Sequence, residues 1–541
     1  MMRVHIALSN GIAGDNSATR SIEIKGTVAS WTISVQGDIR MEQSKELTII
    51  VAEEFSGAFA LQAGQLNSVT DVNVKSLSRI AVKAALESRG NFTALLLCKA
   101  SGEGVILGDA LGVRPFYRSH DHQELRVTSS IKAATNSVDY ELDIVGAIET
   151  GLLGFPLNER TILKGVARNA PAEHIRVDIE GFSVSRYFDW SELELSEAAL
   201  SDKVKTIREA FRSAIDIRHK ATGSNIAFLS GGLDSRSIVV SLIESGVDPI
   251  TFGFANAGTQ DLMLAKRFAR EAKVQFSYSS RPPGGRIDWA GLLGDSLNSS
   301  DMKTRPAWAW SGDGGSVCAG AVYCTEELID LFTNPAIPVA EALFERFNLQ
   351  IPVLLLSGKH RRLVQEEIRS DLERAVRDAQ KVTDDRASFT FFALNDQRRH
   401  LDFHFENLGA NGIHFLLPFY DLNVLQCYFS CALSARLGHK LYMEWFRSLS
   451  ALAQSTPWQT YPGHEACPLE IEASLENQWV ATKGRREIRT LSADVRKYSL
   501  LLARTPEISN MRLKFATLLD AFGVREQQGI SRIVDVLRDY Q

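Results

Sequence analysis

The sequence predicts an α/β protein in two parts: a sheet-rich region, then a parallel sheet with many helices. Three observations predict it. Up to about Tyr187, short alternating or apolar runs are separated by Gly, Asn and Asp. From Ser201 the texture turns to helix, strand, helix. Between Asn225 and Gly246 a strand, a glycine-rich turn and a helix follow one another directly. The polar stretch SELELSEAALSD parts the two regions, so units of 1–200 and 201–541 are expected.

In the first unit the expected strands are WTISVQGD, ELTIIVAEEF, FTALLLCKASGEG, GVILGDALG, RPFYRS and ELRVTSS. The second opens with KVKTIREAFRSAI, whose Val204, Ile207, Phe211 and Ile215 recur at helical spacing. NIAFLS follows as a buried strand. After the glycine turn, Ile238, Val239, Leu242 and Ile243 make a helical face that Gly246 ends. PITFGF, QDLMLAKRFAREA and VQFSY then complete a βαβαβ run. The chain closes on ISRIVDVLRDYQ, where Ile530, Ile533, Val534 and Leu537 form one apolar stripe.

Composition narrows the function. With 541 residues, 45% apolar and 23% charged, the chain has the balance of a folded globular protein. A net charge of -5 supplies no basic field for phosphate backbones, so nucleic acid is not an expected partner. Six scattered cysteines are too sparse for a disulfide framework. No run of eighteen apolar residues and no secretory h-region occurs, so a cytoplasmic protein without a membrane span is expected.

The chemistry concentrates in Ser230-Gly231-Gly232-Leu233-Asp234-Ser235. Two glycines let backbone approach a ligand, and a helix N-terminus adds positive partial charge, so the turn suits an anion. Asp234 would repel phosphate unless a divalent cation lay between them; oxygen-ligated Mg²⁺ fits. The combination points to Mg-pyrophosphate at the carboxyl ends of parallel strands.

The SGGLDS spelling resembles the pyrophosphate loop of the ATP pyrophosphatases, in particular the asparagine synthetase superfamily. Three stretches agree in order: Asp109, Gly112, Arg114 and Pro115 of LGDALGVRPFYRS, the second glycine loop WSGDGGSVCAG, and Pro418, Phe419 and Asp421 of GIHFLLPFYD. The resemblance implies a first domain of the Ntn-type αββα amidotransferase fold and a second of the ATP-pyrophosphatase type. It implies ATP and Mg²⁺, with Ser230, Gly231, Gly232 and Ser235 at the pyrophosphate, Ser311 and Gly312 facing the nucleotide, and Leu229, Gly253 and Phe254 at its adenosine. Asp234 is the implied metal ligand, and Asp313 a metal ligand, the base for the attacking amine, or both.

Departures from that family refine the expectation. Such amidotransferases use an N-terminal Cys nucleophile; here Met1 is followed by Met2 and Arg3, and no cysteine precedes Cys98. The first domain is therefore expected to be degenerate. Ser316 stands where relatives carry a magnesium-binding Asp, and no Lys or Arg lies between Arg447 and Lys483 to match the synthetase lysine. PWQTYPGH and the GDGGS spelling instead resemble the lasso peptide macrolactam synthetases, with His464 in the lysine's place. That resemblance implies a leader-processed precursor peptide as substrate, working with a leader peptidase and a leader-recognition element. An amide ligase on a small metabolite, of the asparagine or β-lactam type, and a non-catalytic nucleotide- or peptide-binding scaffold remain open. His400 with His404 are expected to be structural or solvated, Cys427 with Cys431 reduced core residues, and the basic stretch from Lys483 to Lys497 a solvated helix face, with docking of a peptide carboxylate as its alternative.

Overall fold

A computed structural model of the chain describes residues 2–10, 19–37, 39–61, 72–121, 123–135, 141–219, 224–280, 293, 307–347, 351–410, 413–461, 463–472, 475, 506–521, 529–530 and 532–533. The basic stretch from Lys483 to Lys497 lies outside these, as does the terminal stripe beyond Ile533.

Two six-stranded sheets make the first part. One runs in the order β10 (Ala167–Arg168), β8 (Tyr117–His120), β9 (Glu124–Thr128), β1 (Met2–Asn10), β3 (Ala29–Gly37) and β2 (Arg20–Lys25). The other is β12 (Gly181–Arg186), β11 (Glu173–Asp178), β7 (Gly104–Gly108), β6 (Phe92–Cys98), β5 (Leu47–Glu53) and β4 (Arg40–Gln43). Alternation explains the packing: Val4, Ile6, Leu8, Trp31, Ile33 and Val35 point from the first sheet into a core shared with the second. The opposite face of the second sheet is covered by Leu77, Ala81, Ala84 and Ala85 of the Val74–Glu87 helix. A sheet covered on both faces needs continuous apolar strands, which is why LTIIVAE and FTALLLC do not alternate. Ile131 and Ala134 of the short Ile131–Thr135 helix cluster with Tyr117 of β8.

The later part is built on a five-stranded parallel sheet in the order β15 (Phe276–Ser279), β14 (Ile250–Phe254), β13 (Ser224–Phe228), β16 (Ala307–Trp310) and β17 (Ile413–Leu416). The expected βαβαβ run is present, with helices Leu233–Glu244 and Gln260–Ala272 between its strands. Chain order advances in one direction from β13 to β14 and β15, and in the other to β16 and β17. The switch therefore falls between β13 and β16, where ligands of open α/β sheets bind. Helix Leu200–Arg218 packs Ile207, Phe211, Ala214 and Ile215 on one side of the sheet, and Phe389, Leu394 and Phe429 lie with the other.

A buried ion network joins the two parts. Arg218, on the Leu200–Arg218 helix, donates from Nε to Glu54 Oε1 at 2.7 Å and from Nη1 to Asp421 Oδ2 at 2.8 Å, and all three side chains are 0% exposed. Arg89 adds a 2.8 Å bond to Asp421 Oδ1. Burial opposes the charge on Arg218, but Glu54 and Asp421 more than offset it and hold the guanidinium above its usual range. The Asp421 recognised in sequence as part of a motif thus serves as a counter-ion where first and second parts meet. Asp109, also singled out, orders its own loop by accepting from the Val113 and Arg114 amides at 2.9 Å each. Leu111 and Val113 of that loop sit in the later sheet's core.

Candidate functional site

At the switch point, the loop after β13 meets the loop after β16. The first is the SGGLDS turn, capped by Gly232 at the start of the Leu233–Glu244 helix with no side-chain cap. Its early amides are already committed: Ser230 N–H to Ser235 Oγ at 3.0 Å, Gly231 N–H to Asp261 Oδ1 at 2.8 Å, and Gly232 N–H to Ser230 Oγ at 3.2 Å. The serines and glycines therefore shape the cradle, and the uncapped helix start over Leu233, Asp234 and Ser235 is the end that attracts an anion. Gly231 is required by close approach, since a Cβ there would lie 2.9 Å from Asp261 Cα.

The second glycine loop packs directly on that helix start. A Cβ on Gly312 would come within 2.6 Å of Ser235 N, and one on Gly315 would collide with the Asp234 carboxylate. The expected nucleotide-facing residues Ser311 and Gly312 thus lie against 234–235. Ser311 donates its hydroxyl to Asp313 Oδ2 at 2.5 Å.

Asp234 is the hub between the loops. Its Oδ2 accepts from Ser316 N–H at 2.9 Å, and its Oδ1 from Ser316 Oγ at 2.9 Å and Tyr442 Oη at 2.5 Å. Burial raises the carboxyl's pKa and these donors pull it back, while the nearby Asp313 charge raises it further. A carboxylate offers about four lone-pair directions, of which three are used here. Ser316, in the place of an acid, is a donor to Asp234 instead of a second anion. Among the described residues no group of three or more His, Cys, Asp or Glu forms a metal cluster. One or two carboxylates with phosphates supplying the other oxygens is nonetheless the usual donor set for Mg²⁺, and Asp234 with Asp313 fits it.

At the ends of β13 and β14, where the adenosine is expected, Leu229 gives its N–H to Phe252 O at 2.8 Å and points its carbonyl toward Gly253, where a Cβ would come within 2.9 Å of both Leu229 O and the Phe276 ring. Phe254, half-buried, ends the same strand.

His464 lies 4.5 Å, ring centre to ring centre, from His439 and 5.8 Å from Tyr461. Burial, with smaller contributions from the Asp234, Tyr323 and Asp313 charges, raises the Tyr461 phenol above its usual range, and its ring lies 5.8 Å from His439. His439 was not visible as a site residue in the sequence. It sits at φ 65 before the Lys440–Arg447 helix, and its ring lies 5.2 Å from Tyr442. Burial, aided by the His464 charge, pulls its pKa down to about 3, and its Nε2 finds no hydrogen-bond partner among the described residues.

That buried neutral imidazole has a measurable consequence. The unfolded chain takes up a proton near pH 6.5. The folded one does so only near 3, so stability is full above pH 6.5 and falls as pH drops below it. The slope from one such group is about 1.4 kcal/mol per pH unit. His174, lowered by burial to about 4, adds a similar contribution. Asn tolerates positive φ, so His439→Asn should flatten the fall between pH 6.5 and 5 in urea titrations. An unchanged slope would contradict the burial argument.

His400 and His404 stand 6.2 Å apart without a third ligand among the described residues. Cys431 donates within its own segment to Cys427 O at 3.1 Å, and burial pushes the Cys427 thiol to about 11. No helix among the described residues is long and apolar enough to cross a membrane.

Residues 206–280, which hold the helix end, β13, the SGGLDS turn and the strands to β15, match the asparagine synthase family. The chain is 28% identical over 178 residues to a protein of Methanocaldococcus jannaschii named "Putative asparagine synthetase [glutamine-hydrolyzing] 2", covering 31% of this chain and 34% of that one. It is 31% identical over 133 residues to asparagine synthetase [glutamine-hydrolyzing] 3 of Bacillus subtilis, covering 24% of this chain and 22% of that one. The chain thus spans about a third or less of the length of these curated relatives. Among solved structures, the B. subtilis glutamine phosphoribosylpyrophosphate amidotransferase with ADP and GMP aligns at 10% identity and a TM-score of 0.17, over 53% of this chain and 60% of that one, a level that carries no argument. The family match and the site coincide: the strand, cradle and helix that carry Asp234 all lie within the residues that match the asparagine synthase family.

Proposed function

We propose that the chain is an ATP-dependent amide ligase that closes a precursor peptide into a lasso macrolactam. The observation that carries the ligase reading is the meeting of two glycine loops on an uncapped helix start at the sheet's switch point, with Asp234 between them. ATP is a substrate in this reading. Leu229, Gly253 and Phe254 border its adenosine, and the helix start with Ser311 and Gly312 receives its phosphates. Mg²⁺, held by Asp234 and Asp313, supplies the positive charge that offsets pyrophosphate.

Carboxylate is inert toward amines near neutral pH, so it must first be activated. An Asp or Glu side-chain oxygen attacks the α-phosphate, releasing pyrophosphate and forming an acyl-adenylate. The peptide's N-terminal amine then attacks the acyl carbon, AMP leaves, and Asp313 accepts the amine's proton. Tyr461 and His464 border this centre and supply hydrogen bonds where relatives place a lysine. The peptide substrate rests on the PWQTYPGH and GDGGS spellings. Within this reading the first unit, 1–200, is a degenerate amidotransferase domain that braces the second, 201–541; the enzyme is cytoplasmic, and a leader peptidase and leader-recognition element deliver the core peptide.

Purified chain with Mg-ATP and a leader-free precursor peptide should release AMP and pyrophosphate only when the peptide is present, with a cyclised product by mass spectrometry. Turnover stimulated by free aspartate with ammonia would replace the peptide reading by the small-metabolite one. Absence of turnover with either would favour a binding scaffold.

A further inference from the structure

Arg236 lies two residues beyond Asp234 in the first turns of the Leu233–Glu244 helix, yet it is 0% exposed and touches no phosphate position. Its guanidinium reaches across to residues 453–457, donating from Nη1 to Ala453 O at 3.2 Å and Thr456 O at 2.7 Å, and from Nη2 to Pro457 O at 2.8 Å. The fork lies over the Phe268 ring at 4.6 Å, with Trp458 at 5.9 Å. Its hydrogen-bond partners are carbonyls, not carboxylates. A buried guanidinium held by carbonyls is costly, and burial pulls its pKa down to about 9. Such a group persists where its planar geometry organises something that a lysine's single point charge would not.

What it organises runs on from Pro457. Gln459 N–H bonds to Gly231 O at 2.8 Å, so the same segment is pinned to the phosphate loop a second time, and Trp458 N–H bonds to Cys467 Sγ at 3.4 Å. Two residues further on, the Tyr461 and His464 rings lie 5.8 Å and 4.5 Å from His439, which stands 5.2 Å from the Tyr442 ring whose hydroxyl bonds to Asp234.

We propose that Arg236 is a positioning residue: by holding residues 453–457 to the phosphate-loop helix, it sets the strap that places Tyr461 and His464 at the acyl-transfer centre. This rests on the ligase reading for its catalytic consequence, and on geometry alone for the strap. A lysine at 236 keeps the charge but cannot span three carbonyls.

The test is hydrogen exchange across residues 456–461 in the full chain, with calorimetric Mg-ATP binding and pyrophosphate-release kinetics alongside. In Arg236→Lys, strap exchange should rise at least about tenfold and kcat fall by about tenfold or more, while affinity and KM for ATP stay within about threefold. Gln459→Pro, which deletes the Gln459 N–H and leaves Arg236 intact, should show the same split and serves if the Lys variant does not fold. Unchanged strap exchange in both folded variants, or loss of ATP affinity in step with turnover, would overturn the proposal. Failure of the unaltered chain to bind Mg-ATP would instead sink the ligase reading, and the exchange arm would still decide whether Arg236 holds the strap.

Discussion

Asp234→Asn should abolish peptide-dependent pyrophosphate release, by at least about 100-fold, while the chain stays folded. The carboxylate accepts from Ser316 twice and from Tyr442 once. Asn keeps the size, its oxygen can accept from the Ser316 amide, and its NH₂ can donate to the Ser316 and Tyr442 hydroxyls, which accept as well as donate, so the fold is kept. The loss is the charge, which the proposed Mg-pyrophosphate needs at this point. Continuous assays for pyrophosphate with circular dichroism on the same samples check both halves. Turnover within about tenfold of the unaltered chain would show that Asp234 is a structural acceptor alone.

Removing one member of the ion network should cost the fold as heavily as Asp234→Asn costs activity. In Asp421→Asn or Glu54→Gln, Arg218 stays buried with part of its compensation gone. Breaking a buried pair by removing one partner costs about 3–5 kcal/mol, mostly the penalty for the charge left behind. Glu54 also accepts from the Leu417 amide at 2.6 Å and the Asn91 amide at 3.0 Å, so its loss strands backbone donors from both parts at once. Urea unfolding should show a lower midpoint, whereas Glu124→Gln, which disturbs a partly exposed pair with Arg126, should change little. Equal effects from the buried and exposed variants would contradict the network's role.

Sequence carries the elements whose cause is local. Period-two burial in β3, the continuous apolar runs of β5 and β6, and the strand-turn-helix around SGGLDS follow from spacing that can be counted, whereas β1, which alternates just as well, is absent from the expected strands. The two glycine loops are also legible, because close backbone approach demands glycine. What joins them is not. Tyr442 reaches Asp234 from 208 positions away, and Leu417 reaches Glu54 from 363, with no spacing to announce either contact. Sequence places Ser230, Gly231, Gly232 and Ser235 at the phosphates, yet the Ser230, Gly231 and Gly232 amides bond to Ser235, Asp261 and Ser230 to hold the turn's shape. Asp261 leaves a faint local signal, an acid just after the Thr259 cap of its helix. Arg236 leaves none, since an arginine in a helix usually reads as solvated surface.

The most direct test of the account is a crystal structure of the chain soaked with Mg²⁺ and a non-hydrolysable ATP analogue. The account predicts phosphate oxygens within hydrogen-bond distance of the Leu233, Asp234 and Ser235 amides and a cation bridging them to the Asp234 carboxylate. Nucleotide bound elsewhere, or a loop that stays closed over Asp234 with the analogue in excess, would contradict it.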